Sequence, residues 1–199
     1  MKKLMSFFIA SSLIITACNN SDDETNKTDQ PRNAPNSAAS TTKAAEEANE
    51  ANSATDQATT DFIMKAAIGG MMEVQLGEMA QRNASSPAVK DFGKRMIADH
   101  TKANTELKAI ADARNVQLPA MLEGKHREMM NDLGKKSGAE FDKAYMNMMV
   151  DDHNEDVDEF EKASNNLKDA TVKAFVAKTL PVLKSHLEAA KNVQQQVKK

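Results

Sequence analysis

The feature that most constrains the fold is a helical repeat of apolar residues that continues from Asp61 to Val197. Apolar side chains recur there at alternating spacings of three and four residues, which places them on one face of an α-helix. Short polar runs interrupt the repeat. We therefore predict four long helices, at about Asp61–Asn83, Pro87–Arg114, Ser137–Asn165 and Asp169–Val197.

Capping residues support two of these helix starts. Ser86 precedes Pro87, which predicts Ser86 as the N-cap and proline at the first helical position, where its missing N–H is not needed. Ser137 and Glu140 have the spacing of a capping box, in which each side chain satisfies the other residue's backbone N–H.

The connections between the predicted helices indicate how they pack. Two connections are short, so the first two helices, and likewise the last two, must be antiparallel neighbours. The connection at Asn115–Lys136 is longer and contains Pro119 and a short amphipathic segment. The composition also favours a helical fold, because the chain is only 4% aromatic and has seven Gly and five Pro among 199 residues. We predict an all-α, up-down four-helix bundle over 61–199, with a short helix in its long central connection.

Each predicted helix carries one ionisable residue within its apolar stripe. These residues are Glu73, His100, His153 and His186. Counted from the helix ends, with both short turns placed at the same end of the bundle, all four lie within about two helical turns of one level near its middle. A carboxylate buried there without a partner is unfavourable, so Glu73 requires compensation, which three imidazoles can supply.

A carboxylate with three imidazoles is a suitable ligand set for zinc, iron, manganese or copper. We therefore predict one transition-metal ion at these four residues. The alternative is a polar layer that fixes the register of the helices and binds no metal. Asp99 and Asp152 each precede one of the histidines, and two interpretations stay open: they orient an imidazole of a neighbouring helix, or they are solvated flanking residues. The many methionines are typical of adaptable core packing rather than of copper ligands.

The N-terminus has the pattern of a lipoprotein signal peptide at residues 1–17. Lys2 and Lys3 precede an apolar run, and small residues lead up to Cys18. The cleavage region resembles the bacterial lipobox, in which the cysteine becomes the lipid-modified first residue of the mature chain. Cys18 is also the single cysteine, which excludes an internal disulfide and a cysteine-based zinc site.

Residues 18–60 are predicted to be the lipidated Cys18 and a disordered polar tether. From Asn19 to Thr60 there is no Val, Ile, Leu, Met, Phe, Tyr or Trp, so nothing can bury enough apolar surface to offset the entropy of the chain. The residue after Cys18 is Asn19 rather than Asp, which favours sorting to the outer membrane. The acidic run Ser21–Glu24 resembles a surface-export signal, and an acidic start of the disordered tether is an equally good interpretation.

Motifs on all four predicted helices occur in a consistent order and spacing. They are Ile68-Gly69-Gly70-Met71-Met72-Glu73-Val74, Ser86-Pro87-Ala88-Val89-Lys90-Asp91-Phe92, Arg95-Met96-Ile97-Ala98-Asp99-His100-Thr101, the run from Gly138 to Met146, Asp152-His153, Thr179-Leu180-Pro181 and His186-Leu187. Together they resemble the bacterial family called domain of unknown function 4142, over about Asp61–Val193. The resemblance implies a ferritin-like bundle in an envelope-associated protein, and no established activity.

Ferritin-like chemistry does not follow from that resemblance. Di-iron members of the superfamily use Glu-x-x-His on two helices, whereas here the residues three before the histidines are Ile97, Val150 and Leu183. A mononuclear site is therefore expected.

We expect an outer-membrane lipoprotein of the bacterial cell envelope that faces the periplasm or the cell surface and acts in metal handling or envelope stress. The alternative is a non-enzymatic structural or interaction module of the envelope, whose outer helix faces engage a partner protein. The formal net charge of -3 gives no general attraction to nucleic acid. The sequence has no Ser/His/Asp set, cysteine nucleophile or phosphate loop, so an enzyme is the weakest interpretation, with redox turnover at a metal as its one route.

Overall fold

The structure, a computed structural model, describes residues 56–198. The predicted signal peptide, Cys18 and nearly all of the predicted tether lie outside the described residues. The described part of the chain forms five helices and no strand. They are α1 (Gln57–Asn83), α2 (Pro87–Asp112), α3 (Gly124–Gly134), α4 (Gly138–Asn166) and α5 (Ala170–Val197). The predicted all-α fold is confirmed, including the short helix α3 in the long connection.

Helix α1 begins at Gln57, before the predicted start at Asp61, because Asp56 caps it. The Asp56 carboxylate accepts hydrogen bonds from the backbone N–H of Thr59 at 3.1 Å and from the Thr59 hydroxyl at 2.7 Å. Thr59 and Thr60 are buried although they are polar. The helix therefore extends into a segment whose composition is that of the tether, since a cap is a local signal that composition does not record.

The predicted capping bonds of α2 and α4 are wrong. Neither Ser86 nor Ser137 makes a side-chain capping hydrogen bond. Glu140 pairs with Lys136 instead of bonding back to Ser137. Helix α2 still begins at the predicted Pro87, which fixes its first backbone angle, and α4 begins at Gly138, one residue after the predicted Ser137. Gly138 has a φ of 59°, which glycine adopts without strain.

The long helices form a four-helix bundle. Helix α1 packs along α2 and α4 packs along α5, and the two pairs meet where α2 contacts α5 and α1 contacts α4. Helix α3 lies against α1 and α4. No helix within residues 56–198 is both long enough and apolar enough to cross a membrane.

The long connection crosses the full length of the bundle. Ser85, in the turn between α1 and α2, bonds Asp142 near the start of α4. Arg114, just past the end of α2, bonds Asp169 at the start of α5. Helices α2 and α4 therefore run in the same direction, and the two short turns lie at opposite ends. Counting residues from the helix ends, with both turns at one end, still predicts the correct level for the four ionisable residues. They lie near the middle of their helices, so their depth is nearly the same from either end.

The core consists of two apolar clusters. The first apolar cluster includes Phe62, Leu107, Val116, Phe160 and Phe175. The second apolar cluster includes Leu76, Phe92, Leu122, Phe141 and Tyr145. The crossing connection contributes Val116 to the first cluster and Leu122 to the second, which anchors it at both ends. We call the one ionisable residue within each apolar stripe the seam residue; the four are Glu73, His100, His153 and His186. On every long helix the seam residue lies at or near the boundary between the two clusters.

Helices α1 and α2 pack tightly where Gly77 and Gly93 face each other. A Cβ atom on Gly77 would lie 2.7 Å from the backbone oxygen of Gly93 and 2.8 Å from Cγ1 of Ile97. A Cβ atom on Gly93 would lie 2.8 Å from that of Ala80. Side chains at these positions would force the two helices apart.

Asp142 ties the start of α4 to the turn between α1 and α2. Its carboxylate is 3% exposed and accepts hydrogen bonds from the Ser85 N–H, the Ser85 hydroxyl and the Ser86 N–H at 3.1, 2.5 and 2.9 Å. We expect Asp142→Asn to lower the free energy of unfolding by about 1–2 kcal/mol, because in either orientation the amide nitrogen faces a backbone N–H, of Ser85 or Ser86, that it cannot accept from. Urea denaturation checks this, with the exposed Asp151→Asn as control; equal midpoints for the two variants would contradict it.

Candidate metal centre

The structure brings the four predicted seam residues together in the middle of the bundle. Glu73 comes from α1, His100 from α2, His153 from α4 and His186 from α5, and each is at most 5% exposed. Each lies on the inner face of its helix because it occupies one position of the apolar repeat.

Glu73 lies against two of the imidazoles. Its Oε2 is 2.7 Å from Nδ1 of His100, and its Oε1 is 3.2 Å from Nε2 of His153. Neither contact has the direction of a hydrogen bond, and both carboxylate oxygens are buried without a hydrogen-bond partner. An arrangement of close but undirected polar atoms is costly in a protein interior unless another group satisfies them.

The three imidazoles form a triangle next to this carboxylate. Their ring centroids are 5.3 to 5.9 Å apart, and one nitrogen from each ring lies within 4.8 Å of the other two. Each ring has a buried nitrogen without a hydrogen-bond partner, and these are Nε2 of His100, Nε2 of His153 and Nδ1 of His186.

Hydrogen bonds to the opposite ring nitrogens fix the orientation of two imidazoles. Nδ1 of His153 donates to the backbone oxygen of Met149 at 3.0 Å, which leaves a lone pair on Nε2 of the neutral ring. Nε2 of His186 bonds Oδ2 of Asp99 at 2.8 Å, which leaves the lone pair on Nδ1. Carboxylate and carbonyl partners of this kind are typical of metal-binding histidines.

Asp99 therefore reaches from α2 to an imidazole of α5. This contact corresponds to the interpretation in which Asp99 orients an imidazole of a neighbouring helix. It is partly exposed, and Arg95 lies 3.5 Å from the same carboxylate while bonding Ser185 across the helix interface. Partial burial raises the pKa of Asp99, but the hydrogen bond from His186 and the charge of Arg95 outweigh it and hold that pKa below its usual range.

Asp152 is placed differently. Its Oδ2 is buried without a hydrogen-bond partner, and no hydrogen bond joins it to an imidazole in the described chain. It lies instead beside Glu73 and His153, with one atom of each residue within 4.8 Å of the other two. Burial, followed by the charge of Glu155, raises the pKa of Asp152 to about 6.

Burial also sets the charge state of the centre. Loss of hydration lowers the pKa of His153 to about 3 and that of His186 to about 4, and it lowers the pKa of His100 as well. Burial and then the charge of Asp152 raise the pKa of Glu73 well above its usual range. The imidazoles are therefore neutral at pH 7, which is the form that binds metal ions.

Sequence reasoning missed two residues beside the centre. Asp156 follows Asp152 by one helical turn, and its Oδ1 would lie 3.6 Å from a Cβ atom on Gly69. Tyr145 lies on the same face of α4 as Met149 and His153, at a spacing of four residues, yet its fully buried hydroxyl has no hydrogen-bond partner. The spacing of four from Asp152 would have identified Asp156. Nothing in the sequence indicates that the Tyr145 hydroxyl lacks a hydrogen-bond partner, because the hydroxyl of a tyrosine on an apolar stripe usually reaches solvent or such a partner.

The residues present fit a transition-metal ion. One nitrogen from each of three buried imidazoles lies within 4.8 Å of the other two, and each ring has a buried nitrogen without a hydrogen-bond partner. Glu73 lies against two of these rings, and its oxygens are also unpartnered. Imidazole nitrogens and one carboxylate form an ordinary ligand set for such ions.

Comparisons with known proteins agree with this fold. A solved structure described as "CopM in the Cu(II)-bound form" is similar, with a TM-score of 0.59 and 17% sequence identity over 69% of this chain and 96% of that chain. At this identity the likeness concerns the fold. No curated protein sequence gives a significant match. Residues 41–193 match the family described as "Domain of unknown function (DUF4142)". Since this match spans most of the 199 residues, the chain belongs to the DUF4142 family.

Proposed function

We propose that the bundle binds one transition-metal ion, with Glu73, His100, His153 and His186 as its protein ligands. The observation that supports this most is the convergence of three buried imidazoles, each of which has a buried nitrogen without a hydrogen-bond partner. A layer that only fixed helix register would be expected to satisfy its own polar groups.

Copper(II) is the ion to test first, with zinc second. A set rich in imidazole favours these ions among the divalent first-row metals, because affinity rises along the series to copper. The similar structure described as Cu(II)-bound supports the same choice, although at 17% identity it carries no residue-level correspondence. Such an ion, when bound, supplies a redox-active or Lewis-acidic centre, and the protein supplies a dry site with fixed imidazole orientations.

The metal content of the full-length chain, purified without a histidine tag, tests the proposal. We expect one equivalent of copper or zinc per chain after loading and desalting. His153→Gln should weaken binding by at least about tenfold, because it removes a ligand whose opposite nitrogen is already held by Met149. His126→Gln, on α3 and outside the centre, is the matched control. A wild-type chain that stays empty with copper, zinc, iron and manganese would overturn the proposal.

We further propose that this domain is held at the outer membrane of a bacterial cell by lipid on Cys18, and that it acts in metal handling or envelope stress. The signal-peptide pattern and the polar tether of the sequence support the anchor. Several acyl chains on one cysteine give stable anchoring, since each buried methylene contributes about 0.8 kcal/mol.

Cys18→Ala is expected to move the protein from the membrane fraction to the soluble fraction and to prevent lipid attachment. Fractionation of cells, followed by mass measurement of the N-terminal peptide, checks both effects. Asn20→Ala is the control, because it leaves the cysteine and the residues before it intact. Membrane association that persists without Cys18 would contradict the anchor.

A further inference from the structure

The polar groups in the middle of the bundle form two sets of metal-binding side chains that share one histidine. One set is the triangle of His100, His153 and His186. The other consists of Glu73, Asp152 and His153, and one atom of each lies within 4.8 Å of the other two. This second set joins α1 to α4 and needs no residue of α2 or α5.

Asp152 is the member of the second set that the proposed metal centre does not use. Its Oδ2 is buried, and no hydrogen bond reaches that oxygen from residues 56–198. Glu73 is 1% exposed, and both of its oxygens lack hydrogen-bond partners as well. Two carboxylates that lie close together in a protein interior repel each other, and a cation bound by both would remove the repulsion and satisfy their oxygens.

His153 has one nitrogen available to both sets. Its Nδ1 donates to the backbone oxygen of Met149 at 3.0 Å, so the lone pair of the neutral ring is on Nε2. Nε2 lies 3.2 Å from Oε1 of Glu73. Because one lone pair binds one ion, His153 can complete either set but not both at the same time.

The two sets differ in the ions that they favour. The triangle offers three imidazoles, which favour copper(II) and zinc among the divalent ions. The second set offers two carboxyl groups and one imidazole, and carboxylate oxygens favour harder ions such as manganese(II). The same buried layer therefore contains ligands for two classes of ion.

We propose a second position for the ion, with Glu73, Asp152 and His153 as its ligands, which takes manganese(II) in place of copper or zinc. The chain holds one ion at a time, because both positions need His153. Glu73 is common to both as well, so an ion that changes position exchanges His100 and His186 for Asp152. This inference rests on the proposed function, which supplies the first position.

Equilibrium dialysis of the full-length untagged chain against manganese(II), followed by elemental analysis, tests the second position. We expect one manganese per chain. One equivalent of copper(II) should then release the manganese, so that the sum of bound ions stays at one per chain. A chain that holds one manganese and one copper together would overturn the proposal, and so would a chain that takes up no manganese.

Two variants identify the side chains that hold each ion. Asp152→Asn should weaken manganese binding by about tenfold or more, and His186→Gln should weaken copper binding at least as much. Each variant should weaken binding of the other metal less. Asp151→Asn, exposed on the same helix, should bind both metals like the wild type. If Asp152→Asn and His186→Gln weaken both metals to the same extent, the chain has a single position and the proposal is overturned.

Metal selectivity separates the second position from the proposed function. A chain that takes up copper or zinc but no manganese overturns the second position and leaves the proposed function intact. A chain that takes up manganese through Asp152, but neither copper nor zinc, overturns the proposed function and supports the second position.

Discussion

Replacing Glu73 with methionine is expected to raise the free energy of unfolding of the metal-free protein by about 1–4 kcal/mol. Glu73 is 1% exposed, and neither of its oxygens has a hydrogen-bond partner. Methionine has a similar length and removes the desolvation cost of the carboxyl group. The imidazoles left behind are neutral at pH 7, because burial lowers the pKa of His153 to about 3 and that of His186 to about 4.

The same variant should lose the stabilisation that the proposed ion is expected to give to the wild type. A ligand that binds the native state alone stabilises it by about 2.7 kcal/mol at one hundred times its dissociation constant. Urea denaturation with chelator and with copper or zinc measures both effects, with Glu78→Met, exposed on the same helix, as control. A lower free energy of unfolding in the chelated Glu73 variant would contradict this expectation and favour a polar layer that fixes helix register.

Gly77→Val is expected to lower the free energy of unfolding by about 3 kcal/mol, and the melting temperature by several degrees. The added Cβ atom would lie 2.7 Å from the backbone oxygen of Gly93. A backbone atom within a helix cannot rotate away as the end of a side chain can, so α1 and α2 must separate. Their separation would open the bundle along the seam that holds Glu73 and His100.

Gly69→Ala, on the same helix, is the control for this effect. A Cβ atom there would lie 3.6 Å from the Asp156 carboxylate, an ordinary contact. Alanine is favoured over glycine within a helix by about 1 kcal/mol, so this variant should be as stable as the wild type or more stable. Thermal unfolding followed by circular dichroism compares the two, and equal melting temperatures would contradict the tight crossing.

The helices and the four seam residues could be predicted from the sequence because both depend on local periodicity. A repeat of three and four residues determines which side chains share a face, and a polar residue within that repeat must face the core. The mid-helix positions of His100 and His153 then place them at one level whichever way their helices run.

The direction of the crossing connection could not be predicted in the same way. A connection as long as Asn115–Lys136 can either turn back at one end or traverse the bundle, and the pairs that decide between these outcomes join residues far apart in sequence. Ser85 with Asp142 and Arg114 with Asp169 are such pairs. The hydroxyl of Tyr145 was missed for a related reason, because its surroundings are known only when four helices are assembled.

The polar layer takes one side chain from each of the four long helices, and this has a consequence for a chain with a single cysteine. An ion held by Glu73, His100, His153 and His186 would join all four segments at one point, as a set of disulfides does in small extracellular domains. Unlike a disulfide, this metal cross-link needs no oxidant to form, and a chelator can remove the ion. The rigidity of the whole domain would then follow the supply of that metal.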